Sequence, residues 1–564
     1  MINVFRLLNL FRDKIIFIIA LITSLAFLEL LTFSFLKPII AYFSNANYLN
    51  DDYFFSVYKN FDFKNLILIF IIIFFIRCCL SIYVSYKRSS LVKYINDYLS
   101  EKIYNTYLYK DFNFFIKNNS SNLISNIINE IDKFSYRVVD SLIYLLTEFF
   151  LVFAILIFLF SNYFWTTLFL ITFIILCFLS LYILYRSAFK TAGIKKSLYD
   201  AAKIENLQNS FYAIQNIKLD NLESFFSDQF RKNTKLASEN QFILQFKSEI
   251  PKPLIELLVL TALIGVIFFS YIYLGFNKNE FTAMLGIYGI AIFRILPSGN
   301  RIMMCLNQIR FHYPAINIIT KELDAISNNY LLEKIDSKHF NFNSSIVLEN
   351  VNFRYNNDEK NILNNINLTI NKNDIIAISG VSGSGKSTLL NIICGLLKPE
   401  AGKIFIDNDA LETHYRSYQA KIGYVPQKIY LIDDTLKNNI IFGRHQSTYD
   451  DNLFLDVINK SDLKNMIEEM PLKENTIIGE RGSRLSGGQQ QRIGLARALY
   501  KKPEILILDE ATSALDEKSE AEILKSINYL KKKITIILVS HKKSILDYAE
   551  KKFIIENGRI FQDN

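Results

Sequence analysis

Two hydrophobic patterns divide the chain. Up to about residue 325 it is built from long Phe/Ile/Leu runs, and beyond about 345 apolar and polar positions alternate as in a soluble α/β protein. Runs near the ~20 residues that cross a hydrocarbon core fall at 14–42, 66–86, 140–161, 163–185, 254–274 and 281–305. Backbone polar groups have no water partners inside lipid, so these runs predict a six-helix bundle. Periodic stretches in the two long loops, "SSLVKYINDYLSEKIYNTYLYKDF" and "YDAAKIENLQNSFYAIQNIKLDNLESFFSDQF", predict helices running well beyond the bilayer. Each folds back at a short polar break, Lys117–Asn122 in the first and Asn216–Asn221 in the second. The segment after the first run, rich in Tyr and Phe, reads as an interfacial aromatic belt or a short amphipathic helix. No cleavable signal is apparent.

Charge then sets an orientation. The net charge of +9 would suit nucleic acid, but the loops 86–139 and 186–250 hold eight and ten Lys/Arg, against two, none and one in the loops between them. The positive-inside rule places the two basic loops and both termini in the cytoplasm, and no nucleic-acid partner is expected. At 564 residues the chain exceeds one hydrophobic core. The expected division is 1–325 membrane domain, 326–345 polar linker and 346–564 soluble domain. Five cysteines in apolar surroundings lack metal-ligand spacing and read as packing residues.

In the soluble half, the apolar strand "DIIAISG" runs into "GVSGSGKST" and then into the helical "LLNIICGLL". Strand, glycine loop and helix in that order form a phosphate-binding loop. Gly380, Gly383 and Gly385 let backbone N–H groups curl round phosphate oxygens, with Ser382, Ser384 and Thr388 in the same loop. Lys386 is placed for the β- and γ-phosphates, and Ser387 for Mg²⁺. The strand "EILILD" ends at Asp509, suited to hold Mg²⁺ through water, and Glu510 beside it is suited to polarise an attacking water. His541 closes the strand "ITIILVSH", and Gln427 follows "IGYVP", both where α/β sheets present ligand contacts. Tyr355, 25 residues before the loop, either stacks on adenine or fills a strand. A second anion-binding segment, "LSGGQ" (Leu485–Gln489), also opens a helix.

This ordered set resembles the nucleotide-binding domain of an ABC transporter over roughly 346–564. With six spans ahead of it, the chain resembles an ABC exporter half-transporter of the type IV fold. The fold expected is a membrane α-helical six-span exporter domain fused to an α/β P-loop ABC nucleotide-binding domain. The resemblance implies ATP hydrolysis with Mg²⁺, Tyr355 as adenine platform and Glu510 as catalytic base. It implies Gln427 sensing the γ-phosphate and Mg²⁺, and His541 contacting the γ-phosphate. Ser486, Gly487, Gly488 and Gln489 would close on ATP held by a second copy's loop, making the protein a homodimer, with Ser513–Asp516 along the seam. Thr476–Gly482 resembles the loop that touches the membrane domain, and the folds near 117–122 and 216–221 resemble coupling helices.

Cargo must be read from charged residues in the membrane half, since they are costly there. The spans hold Glu29, Arg77, Glu148, Glu256 and Arg294, with Lys252 and Arg301 near helix ends. Either they pair within the membrane, for example Arg77 with Glu148, or Arg77, Lys252, Arg294 and Arg301 form a basic belt suited to a lipid pyrophosphate. "FRILPSGNRI", the aromatic outer segment and Lys252 resemble the bacterial flippases of lipid-linked oligosaccharides used in N-glycosylation. There the family places arginine before the fifth span, and this chain has lysine. The resemblance implies a multi-pass protein of the bacterial inner membrane, with membrane lipid around it and its nucleotide-binding domain in the cytoplasm. Export of another lipid, a drug or a peptide is the alternative.

Overall fold

The computed structural model describes residues 9–44, 62–269, 278–327, 342–355, 360–443, 449–479, 482–511 and 517–563. The aromatic segment after the first span, most of the linker, Ser513–Asp516 and part of Thr476–Gly482 lie outside these residues. The chain divides into two compact units, Met1–Lys110 with Asn118–Asn328, and Asp111–Lys117 with Asn329–Asn564.

The first unit is helical. Its main helices are α1 (Arg12–Ser44), α2 (Phe63–Leu108), α4 (Asp140–Asn162), α5 (Phe164–Tyr212), α7 (Glu223–Glu249), α8 (Pro251–Phe269), α9 (Lys278–Phe311) and α10 (Tyr313–Ser327). The short helix α6 (Ile214–Leu219) lies between them in sequence, as does α3 (Phe112–Lys117), which belongs to the second unit. The described residues of the six predicted spans fall on α1, α2, α4, α5, α8 and α9, and 270–274 of the fifth lie outside the described residues. Among the described residues, the continuous helical stretches Asn9–Ile40, Phe63–Leu108 and Ser120–Asn162 are each long and apolar enough to cross a membrane. With 46 and 49 residues, α2 and α5 are roughly 70 Å long at 1.5 Å per residue, more than twice the hydrocarbon thickness. Their ends therefore project out of the bilayer, as the loop periodicity predicted. Exposed apolar side chains repeat at helical spacing, as in Leu257, Leu260, Ile264 and Phe268 of α8, which is how a lipid-facing stripe looks.

Pro251 opens α8, where a missing N–H costs nothing. Pro297 sits inside α9, which nevertheless continues to Phe311. The first loop fold differs from its predicted place: the short helix α3 precedes the polar break at Lys117–Asn122, and the next helix already starts at Ser120. In the second fold α6 covers Ile214–Leu219 and overlaps the predicted break at Asn216–Asn221. Asn126–Glu130 and Lys133–Val139 are π-helical within one long helix, which no sequence pattern announced.

The second unit carries two sheets. Strands β1 (Ser345–Phe353), β2 (Leu363–Asn371), β4 (Ala401–Ile406) and β5 (Asp409–Ala410) form an antiparallel sheet in the order β2-β1-β4-β5. The other sheet contains β3 (Ile375–Ser379), β6 (Ile422–Val425), β7 (Ile505–Asp509), β8 (Thr535–Val539), β9 (Lys551–Glu556) and β10 (Arg559–Asp563), ordered β10-β9-β3-β8-β7-β6. Its four inner pairings from β9 to β6 are parallel, and β10 adds an antiparallel edge. Strands β7 and β8 are buried at every position, so they read as unbroken apolar runs rather than alternating ones. Helices α11 (Lys386–Ile393), α12 (Gly487–Leu499) and α13 (Glu517–Leu530) complete the elements that matter below.

Candidate nucleotide site and membrane cavity

Parallel register brings the chemistry to one sheet edge. Ile378 of β3 lies beside Val539 of β8, Asp509 of β7 beside the same Val539, and Val425 of β6 beside Leu508. The chain leaves these four carboxyl ends as the glycine loop, the Ser540–His541 turn, Glu510 and the Gln427 segment. That edge is where open α/β sheets hold ligands.

The loop needs glycine at two positions for stated reasons. Gly380 has φ +149°, and a Cβ there would lie 2.4 Å from the Ile555 carbonyl oxygen. Gly385, at φ +104°, caps α11, and its Cβ would lie 2.9 Å from Leu363. Lys386 is buried and donates to the carbonyls of Gly380 at 2.7 Å and Val381 at 3.0 Å, folding the ammonium over the loop. Ser384 Oγ is buried with no hydrogen-bond partner among the described residues, and a phosphate oxygen would satisfy it. Ser382, Gly383 and Ser387 are exposed, and Thr388 is buried. Tyr355 packs edge-on against Phe353, ring centroids 5.0 Å apart, and its hydroxyl is 3.4 Å from Thr388 Oγ1. It is therefore tied to the loop through Thr388 and stays partly exposed.

Glu510 adopts φ +49°, unusual for a side-chain residue, with its N–H donating to the Val539 carbonyl at 2.9 Å. Its Oε2 accepts from Gln427 Nε2 at 2.6 Å, and its Oε1 is 3.3 Å from His541 Nε2. The three residues proposed for the reaction are thus drawn together around one carboxylate. Asp509 is buried, and burial raises its pKa above the ordinary carboxylate range. A cation beside it would relieve that penalty, and Ser387 offers the hydroxyl. Mg²⁺ held by these groups and the nucleotide's own phosphates fits the donor set.

Two residues here escaped the sequence reading. Tyr424 donates its hydroxyl to Asp509 Oδ2 at 3.1 Å, orienting the carboxylate from β6. Gln491 is buried on α12 and donates Nε2 to the Gln427 carbonyl at 2.9 Å, joining the second anion-binding helix to the Gln427 turn. Nothing in its position marked Gln491 beyond burial on the inner face of α12.

That helix begins with a capping box. Ser486 Oγ accepts from the Gln489 N–H at 3.3 Å, and Gln489 Oε1 accepts from the Ser486 N–H at 2.9 Å. Both side-chain oxygens serve the cap as acceptors, so the donors left for an anion are the backbone N–H groups of Gly487 and Gly488, the Ser486 hydroxyl proton and the Gln489 Nε2. Ser486 and Gly487 are exposed.

In the first unit the basic residues are not gathered into one belt. Arg77 Nε donates to Glu29 Oε2 and Arg294 Nε to Glu29 Oε1, both at 2.7 Å. Arg77 therefore pairs with Glu29, not Glu148. Arg301 donates to Glu148 at 2.9 Å, and Lys252 stands exposed at the start of α8. Seven residues along α9 amount to about 10.5 Å, far enough for Arg294 and Arg301 to be taken by carboxylates on different helices, α1 and α4. The Glu29 cluster lines a cavity of about 230 Å³ whose other walls include Phe33, Phe70, Phe74 and Phe293.

Residues 363–513 match the family described as "ABC transporter", and residues 15–293 match "ABC transporter transmembrane region". A Staphylococcus aureus protein (strain bovine RF122 / ET3-1), which carries the provisional name multidrug export ATP-binding/permease protein, is 41% identical over 218 residues. That stretch is 38% of this chain and 37% of the relative, so the match spans little more than a third of its length. The counterpart from strain NCTC 8325 is 40% identical over the same extent. Among solved structures, a bacterial Atm1-family ABC exporter with ATP bound gives a TM-score of 0.80 at 19% identity, covering 97% of this chain and 94% of that one. The likeness is one of fold.

Proposed function

The chain belongs to the ABC transporters, with its membrane region and nucleotide-binding domain on one polypeptide, and from that premise we propose that two copies form an ATP-driven exporter. Each copy binds ATP on Gly380–Thr388, with Lys386 turning from its loop carbonyls to the β- and γ-phosphates and Tyr355 beside the adenine. The other copy closes on the γ-phosphate with the Gly487 and Gly488 amides, held in place by the Ser486–Gln489 cap. Mg²⁺, when bound through Ser387 and Asp509 and sensed by Gln427, neutralises charge developing on the phosphates. Glu510 takes the proton of the attacking water, and Gln427 and His541 hold its two oxygens in place. The observation that carries this reading is the convergence of Gln427 and His541 on Glu510 at the edge that also bears the phosphate loop. Vesicles containing the purified protein should hydrolyse ATP, and Glu510→Gln should end turnover while leaving ATP bound.

For cargo we assign a lipid-linked oligosaccharide on a polyprenyl pyrophosphate, flipped across the bacterial inner membrane with the nucleotide-binding domains in the cytoplasm. Arg77 and Arg294 on a cavity in the membrane half support an anionic head group. A second reading is export of another lipid, a drug or a peptide, favoured by the phenylalanines on the same cavity and by the names of the relatives. Proteoliposomes offered a pyrophosphate-linked glycolipid or a hydrophobic cationic dye separate the two. ATP-dependent movement of the dye with no movement of the glycolipid would select the second.

A further inference from the structure

Glu520 is a buried carboxylate that the proposed reaction does not use. It stands on α13, is 7% exposed and accepts one bond on each oxygen. Lys542 Nζ donates to Oε2 and Ser544 Oγ to Oε1, both at 2.5 Å. Burial raises its pKa, but the lysine and serine bonds outweigh that and hold it below the ordinary carboxylate value. Bonds to an ionised group are roughly twice as strong as neutral ones. Leu524 and Ile527 of the same helix are buried in the core shared by Leu506 and Leu508 of β7 and Ile536 and Leu538 of β8. The carboxylate is therefore carried by an element fixed to the sheet.

Both of its donors belong to the turn that carries His541. Ser540, buried just before it, donates its N–H to the Ile378 carbonyl of β3 at 3.4 Å. The Lys542 N–H donates to Ser540 Oγ at 3.0 Å, closing the turn on itself. The chain on both sides of His541 is thus pinned, to β3 before it and to α13 after it. The ring of His541 is itself half exposed and lies 3.3 Å from Glu510. An exposed ring has little packing to hold it, so its place follows from where its backbone is anchored. That matters at a reaction centre, where a misplacement of about 1 Å can cost about a hundredfold in rate.

Resting on the roles proposed above for Glu510 and His541, we propose that Glu520 is a positioning residue for ATP hydrolysis. Through Lys542 and Ser544 it holds the His541 turn against the strand ends, so that His541 meets both Glu510 and the γ-phosphate. The consequence is specific to the third phosphate: loosening the turn should weaken ATP and spare ADP.

Steady-state hydrolysis by the full-length protein in nanodiscs gives kcat and KM for ATP, and inhibition by ADP gives its inhibition constant. Glu520→Gln should lower kcat about tenfold and raise KM for ATP about fivefold, with the ADP constant unchanged within about twofold. Lys542→Met should do the same, and Lys542→Arg, which keeps a charged donor, should recover most of the loss. Ser544→Ala removes one of the two bonds at an exposed position, so it spares the core and should give a smaller change of the same kind. A merely structural carboxylate would lower the active fraction and with it the apparent kcat, leaving KM and the ADP constant where they were, and that result overturns the proposal. So does equal weakening of ATP and ADP. His541→Ala should show the same split between ATP and ADP. If it does while the Glu520, Lys542 and Ser544 variants do not, the positioning claim fails and the hydrolysis reading stands. If His541→Ala shows no split, the role assigned to His541 fails and takes this proposal with it.

Discussion

Gln427 donates its side-chain amide to Glu510 at 2.6 Å, although the two residues leave different strands, β6 and β7. The bond explains why a glutamine at that turn matters. It fixes one oxygen of the carboxylate while His541 faces the other, so the group proposed to accept a proton from water has a defined orientation before nucleotide arrives.

Glu510→Gln removes the base and keeps the shape. Steady-state ATP hydrolysis should fall by about 10²- to 10⁴-fold, with ATP retained on the protein in a filter-binding assay. Gln427→Ala should lower hydrolysis less, because His541 still restrains Glu510. Hydrolysis at the wild-type rate in Glu510→Gln would remove Glu510 from its role.

Tyr424 anchors the carboxylate that Mg²⁺ would use. Tyr424→Phe loses one hydrogen bond, about 1 kcal/mol, so the Mg²⁺ concentration for half-maximal hydrolysis should rise about fivefold, with maximal rate nearly kept at saturating Mg²⁺. A merely structural role would lower the maximal rate and leave the Mg²⁺ midpoint where it was.

Asn439 is fully buried, and its side chain makes four hydrogen bonds to three residues. Its side chain accepts from the Ile432 N–H at 2.9 Å and from Arg497 at 3.3 Å, and donates to the carbonyls of Ile432 and Thr435 at 3.0 and 3.1 Å. Asn439→Ala leaves buried backbone groups unpaired and should cost about 3 kcal/mol of stability, read as a lower urea midpoint for the nucleotide-binding part of the unfolding curve.

Arg301 and Glu148 form a pair in which Glu148 is 3% exposed on its side chain and Arg301 is 41% exposed. Arg301→Gln strands the carboxylate and should lower thermal stability, and adding Glu148→Gln should restore most of it. Neutralising arginines alone would therefore confuse lost cargo binding with lost folding. The double variant keeps the two apart, and a double variant no more stable than Arg301→Gln would refute the pairing.

The convergence of the candidate nucleotide site was legible because its residues follow short stretches of strand, and adjacent strand ends are neighbours in any parallel sheet. Asp509, Glu510 and His541 needed no knowledge of distant contacts to be found. Tyr424 did: in sequence it is one apolar-compatible position of a strand, and its bond to Asp509 comes only from the pairing of β6 with β7. Glu29 was visible as a charge in a span, but its partners stand 48 and 265 positions away, and no periodicity links them. Helix α3 was displaced from its predicted place because "FNFFIK" is too short to show a period, whereas the polar break after it is plain.

The claim on which the rest depends is that ATP is shared between two copies, each lending its Gly487–Gly488 amides to the other's phosphate loop. Mass photometry of Glu510→Gln in nanodiscs with saturating Mg²⁺ and ATP tests it directly, using a cysteine placed at Ser486 and another at Ser382 to report the contact by crosslinking. Two chains per particle with an ATP-dependent crosslink between chains is the expected result. One chain per particle, or a crosslink confined to a single chain, would contradict it.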